Sequence, residues 1–238
     1  MGALRTALRF LAGGALDLLY PWRCLVCGAI DDPARVPGLC PACARELPWR
    51  FAAPCSAGEP APSPLEVGRD RFVAVVLAFR FAPPVDELVY QLKYGGERAA
   101  ALPLAFALAE SAKLARLAQR PDLLVPVPMH WLKRIGRGLD HAELLAEGVG
   151  RALRVPVAAR ALARVRATTA QGQARSAAER VAQVRSAFRL RRRRAVRGRH
   201  VGLVDDVVTS GATAAACAQA LLRGGARAVT LLAAAGNG

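Results

Sequence analysis

No stretch of this 238-residue chain is long and apolar enough to span a bilayer, although 53% of its residues are apolar. That apolar content is sufficient for a sizeable core, and the length suits one good-sized domain plus a small one. The N-terminus also lacks the marks of a signal peptide: Asp17 interrupts its apolar part and no clean small-residue cleavage site follows. Leu4, Leu8, Leu11, Ala15, Leu18 and Leu19 fall at helical spacing, predicting an amphipathic helix over residues 1–20 that packs on the body. The expectation is a soluble, cytoplasmic protein without membrane insertion. Acidic residues are scarce, 18 against 34 Lys and Arg, which leaves a formal charge of +16. Such a surface attracts polyanions, whether nucleic acid, nucleotides or anionic lipid, although a genome rich in Arg codons produces the same charge with no partner. Aromatic residues are few and Trp22, Trp49 and Trp131 are the only indoles, so base stacking should be a minor term in any nucleic-acid contact. No Gly-x4-Gly-Lys-Ser/Thr run occurs, which excludes a Walker-type nucleotide loop.

Cysteine is sparse but ordered. Cys24 and Cys27 form one Cys-x2-Cys knuckle, and Cys40 and Cys43 form a second after twelve residues. Each knuckle bends the chain so that two thiolates face one metal, and the pair predicts a closed, structural zinc site with four cysteine ligands. Disulfides are the weaker alternative in an intracellular chain. Cys55 stands apart, with Gly58 where a third knuckle would place its partner, and Cys217 reads as a small core residue. Residues 52–68, rich in Ala, Pro, Ser and Gly, read as a linker. The expected domains are therefore 1–66, holding the helix, zinc module and linker, and 67–238.

The most informative stretch runs from Val201 to Thr213. A Val-rich strand ends in Asp205 and Asp206, a polar turn follows at Thr209, Ser210, Gly211, Ala212 and Thr213, and an Ala-rich helix continues to about Arg223 before Gly224-Gly225. A strand leading through a small turn into a helix N-terminus suits phosphate, because free backbone N–H groups point outward and Gly211 lets the backbone approach. The acid pair suits the two hydroxyls of a ribose, or a hydrated Mg²⁺ beside them. This stretch resembles the signature of type I phosphoribosyltransferases, in which the acids take the ribose hydroxyls and the loop takes the 5′-phosphate of phosphoribosyl pyrophosphate.

Further elements surround it. Strands are expected at Phe72–Phe81, Leu123–Val127 and Ala228–Ala234, and helices at Val85–Tyr94 and Ala99–Gln119. After the strand at Leu123, a basic loop carries Lys133, Arg134 and Arg137, suited to pyrophosphate, and Asp140 and Glu143 have capping-box spacing. Residues 164–188 are too polar to bury much and read as a mobile loop or lid. Arg189 and Arg191–Arg194 then read as a solvated turn, with nucleic-acid contact the minority reading.

Together these stretches resemble the ComF family of competence-associated, phosphoribosyltransferase-like proteins. The resemblance rests on the knuckles, Lys93-Tyr94-Gly95, the Pro-Val-Pro strand end with Arg137-Gly138, the loop from Arg164 to Phe188, and the Val-Asp-Asp-Val-x-Thr-x-Gly-Ala-Thr signature. Departures fall at Leu139-Asp140, at Gln183 and in the spacing from Gln171 to Glu179-Arg180. The resemblance implies an α/β domain with a central, mostly parallel sheet flanked by helices. It implies Asp205 and Asp206 as catalytic, ribose-holding acids and Lys133, Arg134 and Arg137 as the pyrophosphate site. It implies Arg166, Gln171 and Arg180 in a closing lid, a structural Zn²⁺, and Mg²⁺ accompanying phosphoribosyl pyrophosphate. The partners it implies are phosphoribosyl pyrophosphate or a nucleotide, single-stranded DNA and a competence helicase, in DNA uptake. Whether the chain is a phosphoribosyl-transferring glycosyltransferase or a non-catalytic binder stays open. Thr209 stands where enzymes of this class acting on 6-oxopurines place an acid, which argues against hypoxanthine or guanine as acceptor.

Overall fold

The computed structural model describes residues 22–30, 32–50, 69–115, 117, 119–129, 140–165 and 187–237. The expected N-terminal helix, the 52–68 linker, Cys55, the basic loop of Lys133, Arg134 and Arg137, and the lid residues Arg166, Gln171 and Arg180 lie outside the described residues.

Four strands form one wholly parallel sheet in the order β1-β6-β5-β2: β1 (Ala74–Arg80), β2 (Leu123–Pro126), β5 (His200–Val208) and β6 (Ala228–Gly236). The two remaining strands, β3 (Leu162–Arg164) and β4 (Phe188–Leu190), pair antiparallel on their own. The α/β class read from the sequence is thus the class observed. A parallel sheet needs crossovers that cover its faces, and this explains why its strands read as apolar runs rather than as alternation. Val76, Leu124, Val204 and Leu232 enter one core, while Val75, Leu123, Leu203 and Leu231 enter the other.

Helices supply the covers. With the short helix α1 (Pro41–Arg45) and α2 (Val85–Tyr90) preceding them, α3 (Ala101–Leu114) packs on β1 and β6, and α4 (His141–Leu153) packs on β5 and β2. Both lie on one face and touch each other closely: a Cβ on Gly148 would stand 2.6 Å from the Ala105 Cβ. Helix α3 is buried nearly all round, with Leu104 and Leu108 fully enclosed, so truncating either to Ala should cost about 2–5 kcal/mol. It is shorter than its apolar pattern suggested. Glu97 accepts from the Ala99 N–H at 3.0 Å in the turn leading in, and the helix closes at Ala115 rather than at Gln119. After the four-residue turn of helix α5 (Arg193–Val196), helix α6 (Ala212–Arg223) covers the opposite face against β5, β6 and β4.

Both sheet edges are occupied. At β1, Arg50 N–H donates to the Ala78 carbonyl at 2.8 Å and Arg80 N–H to the Pro48 carbonyl at 2.9 Å. Beside β2, Leu124 N–H donates to Pro156 and Ala158 N–H donates back to Leu124. The cysteine module reaches into the same core: Val36, Leu39 and Leu47 are buried with residues of α3, and Gln91 Nε2 donates to the Leu25 carbonyl at 2.9 Å. Among the described residues, no helix is long and apolar enough to cross a membrane.

Candidate functional site

Strands β2 and β5 are neighbours, yet the helix after β2 covers one face of the sheet and the helix after β5 covers the other. The chain therefore opens a crevice beyond their C-terminal ends, which is where ligands bind in open parallel sheets. A cavity of about 310 Å³ lies there. Its walls include Asp205 and Asp206 from the end of β5, residues 209–213 from the turn and helix start that follow, Met129 from the segment after β2, Asp140 from the start of α4, and Lys93 and Arg164.

Successive side chains of a strand leave on opposite faces, so the two acids meet different surroundings. Asp206 faces Lys93, whose Nζ stands 3.0 Å from Asp206 Oδ1. The same oxygen accepts the Val207 N–H at 2.6 Å. Asp205 turns toward the α6 side, and burial, with the Asp206 charge added, raises its pKa well above the usual carboxylate range. The Asp206 N–H, donating to Asp205 Oδ1 at 2.9 Å, and Lys93 pull the other way. Asp205 in turn contributes to the raised pKa of Cys217, whose main cause is burial; Cys217 is the core residue its sequence context indicated. The following loop ends at Gly211, which stands at the N-cap of α6 with φ 81°, a left-handed conformation natural to glycine, and with no side-chain cap on the helix. The first N–H groups of a twelve-residue helix thus open into the cavity.

Lys93 arrives by a detail that helical periodicity hides. The expected helix to Tyr94 is α-helical only through Tyr90. Gln91–Gly95 form a wider π turn, closed by Gly96 at φ 69°. A π turn adds a residue per turn, rotates the side chains that follow, and is frequent at functional sites. Asp140 departs from expectation as well: it stands at the N-cap of α4 but makes no side-chain cap. Its Oδ2 accepts instead from the Met129 N–H at 3.3 Å, tying the two ends of the 130–139 segment. Val165 N–H likewise donates to Ala187 at 2.7 Å across the ends of the 166–186 segment. Arg164 is half-buried, with its guanidinium 5.6 Å from the centre of the Phe188 ring, and burial lowers its pKa. Both Lys93 and Arg164 lie in motifs visible in the sequence, but no spacing rule joins them to the acid pair.

Away from the crevice, the Sγ atoms of Cys24, Cys27, Cys40 and Cys43 all lie within 4.8 Å of one another, with Cys27 and Cys40 at 3.8 Å. A tetrahedron of four sulfurs around zinc, with bonds of about 2.3 Å, has edges of about 3.8 Å, so the cluster fits the ion. None of the described cysteines forms a disulfide. Cys43 N–H approaches Cys40 Sγ at 3.5 Å, the backbone-to-thiolate contact a knuckle provides. The double zinc ribbon domain family matches residues 15–66. Among the described residues one four-cysteine cluster is present, and its role is structural.

The chain is 36% identical over 210 residues to the DNA utilization protein YhgH of Escherichia coli, covering 87% of this chain and 86% of that protein. It is 35% identical over 201 residues to YhgH of Salmonella typhimurium, covering 81% and 87%. This chain belongs to the ComF family. A further similarity, 28% over 144 residues, covers 58% of this family member and 62% of Competence protein F of Haemophilus influenzae. Among solved structures, "Structure of the allosteric regulatory enzyme of purine biosynthesis" is similar at TM-score 0.40 and 20% identity, covering 61% of this chain and 30% of that one.

Proposed function

We propose that the crevice binds the ribose 5-phosphate part of phosphoribosyl pyrophosphate or of a nucleotide, and that this binding serves DNA utilization. The observation that carries the reading is the convergence of Asp205, Asp206 and the 209–213 loop on one cavity at the C-terminal strand ends. The phosphate sits on the α6 N-terminus and the loop hydroxyls, and the ribose hydroxyls donate to the acids. Lys93 offsets part of the acid charge, and Mg²⁺ supplies the rest when phosphoribosyl pyrophosphate brings it. If transfer occurs, these residues act by positioning and charge stabilisation while pyrophosphate leaves. The names of the relatives support the assignment to DNA use.

Calorimetry with phosphoribosyl pyrophosphate, with and without Mg²⁺, tests the ligand. Asp205→Ala combined with Asp206→Ala should lower affinity at least tenfold while the fold survives. Gly211→Val should do the same, through a side chain where the backbone approaches phosphate and through strain at φ 81°. Unchanged affinity in both variants defeats the reading. Single-turnover assays with labelled phosphoribosyl pyrophosphate and a panel of bases then separate a transferase from a non-catalytic sensor. A second reading, binding of single-stranded DNA, is favoured by the exposed run Arg191–Arg194.

A further inference from the structure

A second cavity, of about 460 Å³, adjoins the first and shares Pro128, Met129, Asp140 and Arg164 with it. The acid pair and the 209–213 loop do not line it. Its distinctive feature is three arginines, Arg160, Arg164 and Arg191, set against an apolar wall that includes Pro128, Met129 and Leu162. The topology brings these cations together. Leu162 pairs with Leu190 across β3 and β4, and Arg191 N–H donates to the Ala161 carbonyl at 2.7 Å. Arg160 and Arg191 therefore flank one end of that strand pair, and Arg164 stands at the other end of β3, on the border with the first cavity. Of the run Arg191–Arg194, only Arg191 lines the cavity. Among the described residues, Asp140 is the one acid in its lining, and it accepts from the Met129 backbone.

Arg160 and Arg191, both exposed at one end of the strand pair, favour an anion, and their planar forks match carboxylate or phosphate oxygens in pairs. The apolar wall and the volume suit a small ring rather than a bare ion. We propose that this second cavity is the subsite for whatever meets the ribose: a small planar molecule carrying an oxyanion, either carboxylate or phosphate monoester. The ring lies against Pro128, Met129 and Leu162, and the oxyanion lies on Arg160 and Arg191. Arg164, shared by both cavities, faces the junction. A neutral base gains no charge-assisted contact with Arg160 and Arg191, so an oxyanion is favoured over it. This assignment rests on the ribose 5-phosphate reading of the first cavity.

The test is calorimetry on the full chain with pyridine-2,3-dicarboxylate, phenyl phosphate and the neutral pyridine-3-carboxamide, each in the presence of ribose 5-phosphate. One or both anions should bind, the carboxamide should not, and which anion binds more tightly distinguishes carboxylate from phosphate. Arg160→Gln with Arg191→Gln should weaken the anion at least tenfold and change ribose 5-phosphate affinity less than twofold. Arg192→Gln with Arg194→Gln, outside the cavity, should change neither. Binding of neither anion, equal binding of the carboxamide, or equal loss in both arginine pairs overturns the proposal. So does a result in which oligothymidylate alone responds to Arg160→Gln with Arg191→Gln, because those arginines then serve a polynucleotide backbone. Loss of ribose 5-phosphate binding in the wild type, with the anion still bound, overturns the first-cavity reading instead.

Discussion

Asp205 carries a cost to stability. Both acids end the same strand, but Asp206 has Lys93 at 3.0 Å, whereas Asp205 loses solvation and feels the Asp206 charge. Its folded pKa lies above the ordinary 3.8, so over that interval the native state holds a proton that the unfolded chain has released. Stability linked to this group is therefore intact below pH 3.8 and declines as pH rises toward the folded pKa. Asp205→Asn removes the charge and keeps the shape. The variant should melt higher than wild type at pH 7, by about 2–4 °C for each kcal/mol gained, and the difference should shrink toward pH 4. Calorimetric melting of both proteins across that range checks this. A lower melting temperature for Asp205→Asn at pH 7 would refute it. A residue kept at a cost to stability fits a ligand-binding role, in which bound hydroxyls or a cation supply the missing partners.

Edge strands with unpaired N–H groups invite association, and this fold covers its β1 edge with residues 48–50, just after the second cysteine knuckle. The segment that carries these hydrogen bonds is too small to hold itself by burial alone, so zinc supplies much of its folding energy. Elemental analysis should find about one zinc per chain. Cys40→Ser with Cys43→Ser should abolish it, expose Leu39 and Leu47, and open the edge. Hydrogen exchange at the Arg80 amide, which donates to Pro48, should then quicken, while the Val204 amide in a central strand stays protected. Zinc retained in that variant, or an Arg80 amide indifferent to zinc loss, would contradict the arrangement. The knuckles were legible because four thiolates on two tight turns need only local spacing. Their docking on β1 and α3 was not, since it depends on partners far along the chain. Helix α2 failed in the opposite way: its apolar spacing continues through Leu92, but the backbone widens into a π turn that periodicity does not register.

The whole molecule carries a net charge of +16, and the exposed Arg191–Arg194 run concentrates part of it. If the run meets single-stranded DNA, binding should be weak, tolerant of sequence and steeply salt-dependent through counterion release. Arg192→Gln with Arg194→Gln should then reduce the slope of log affinity against log salt by about 1.4, at about 0.7 per contact. Asp205→Ala should leave that slope unchanged. Fluorescence anisotropy with oligothymidylate at several salt concentrations measures both, and an unaltered slope in the arginine variant makes the run a solvated surface.

The sequence alone determined what depends on neighbours a few residues apart. The thiolate knuckles and the strand-turn-helix of Val201–Thr213 follow from turn chemistry, helix-terminus geometry and apolar period, and the family resemblance these motifs carry implied the α/β class. The tertiary structure decided what depends on strand order. With β5 and β6 between β1 and β2, the last strands of the chain become the centre of the sheet, and β5 lies beside β2, whose following helix crosses on the other face. That placement opens the crevice at Asp205 and Asp206 and turns Met129 and Asp140 into its wall. It also brings Lys93 within 3.0 Å of Asp206 and sets Arg160 beside Arg191. Packing of separate segments, not spacing along the chain, makes these contacts.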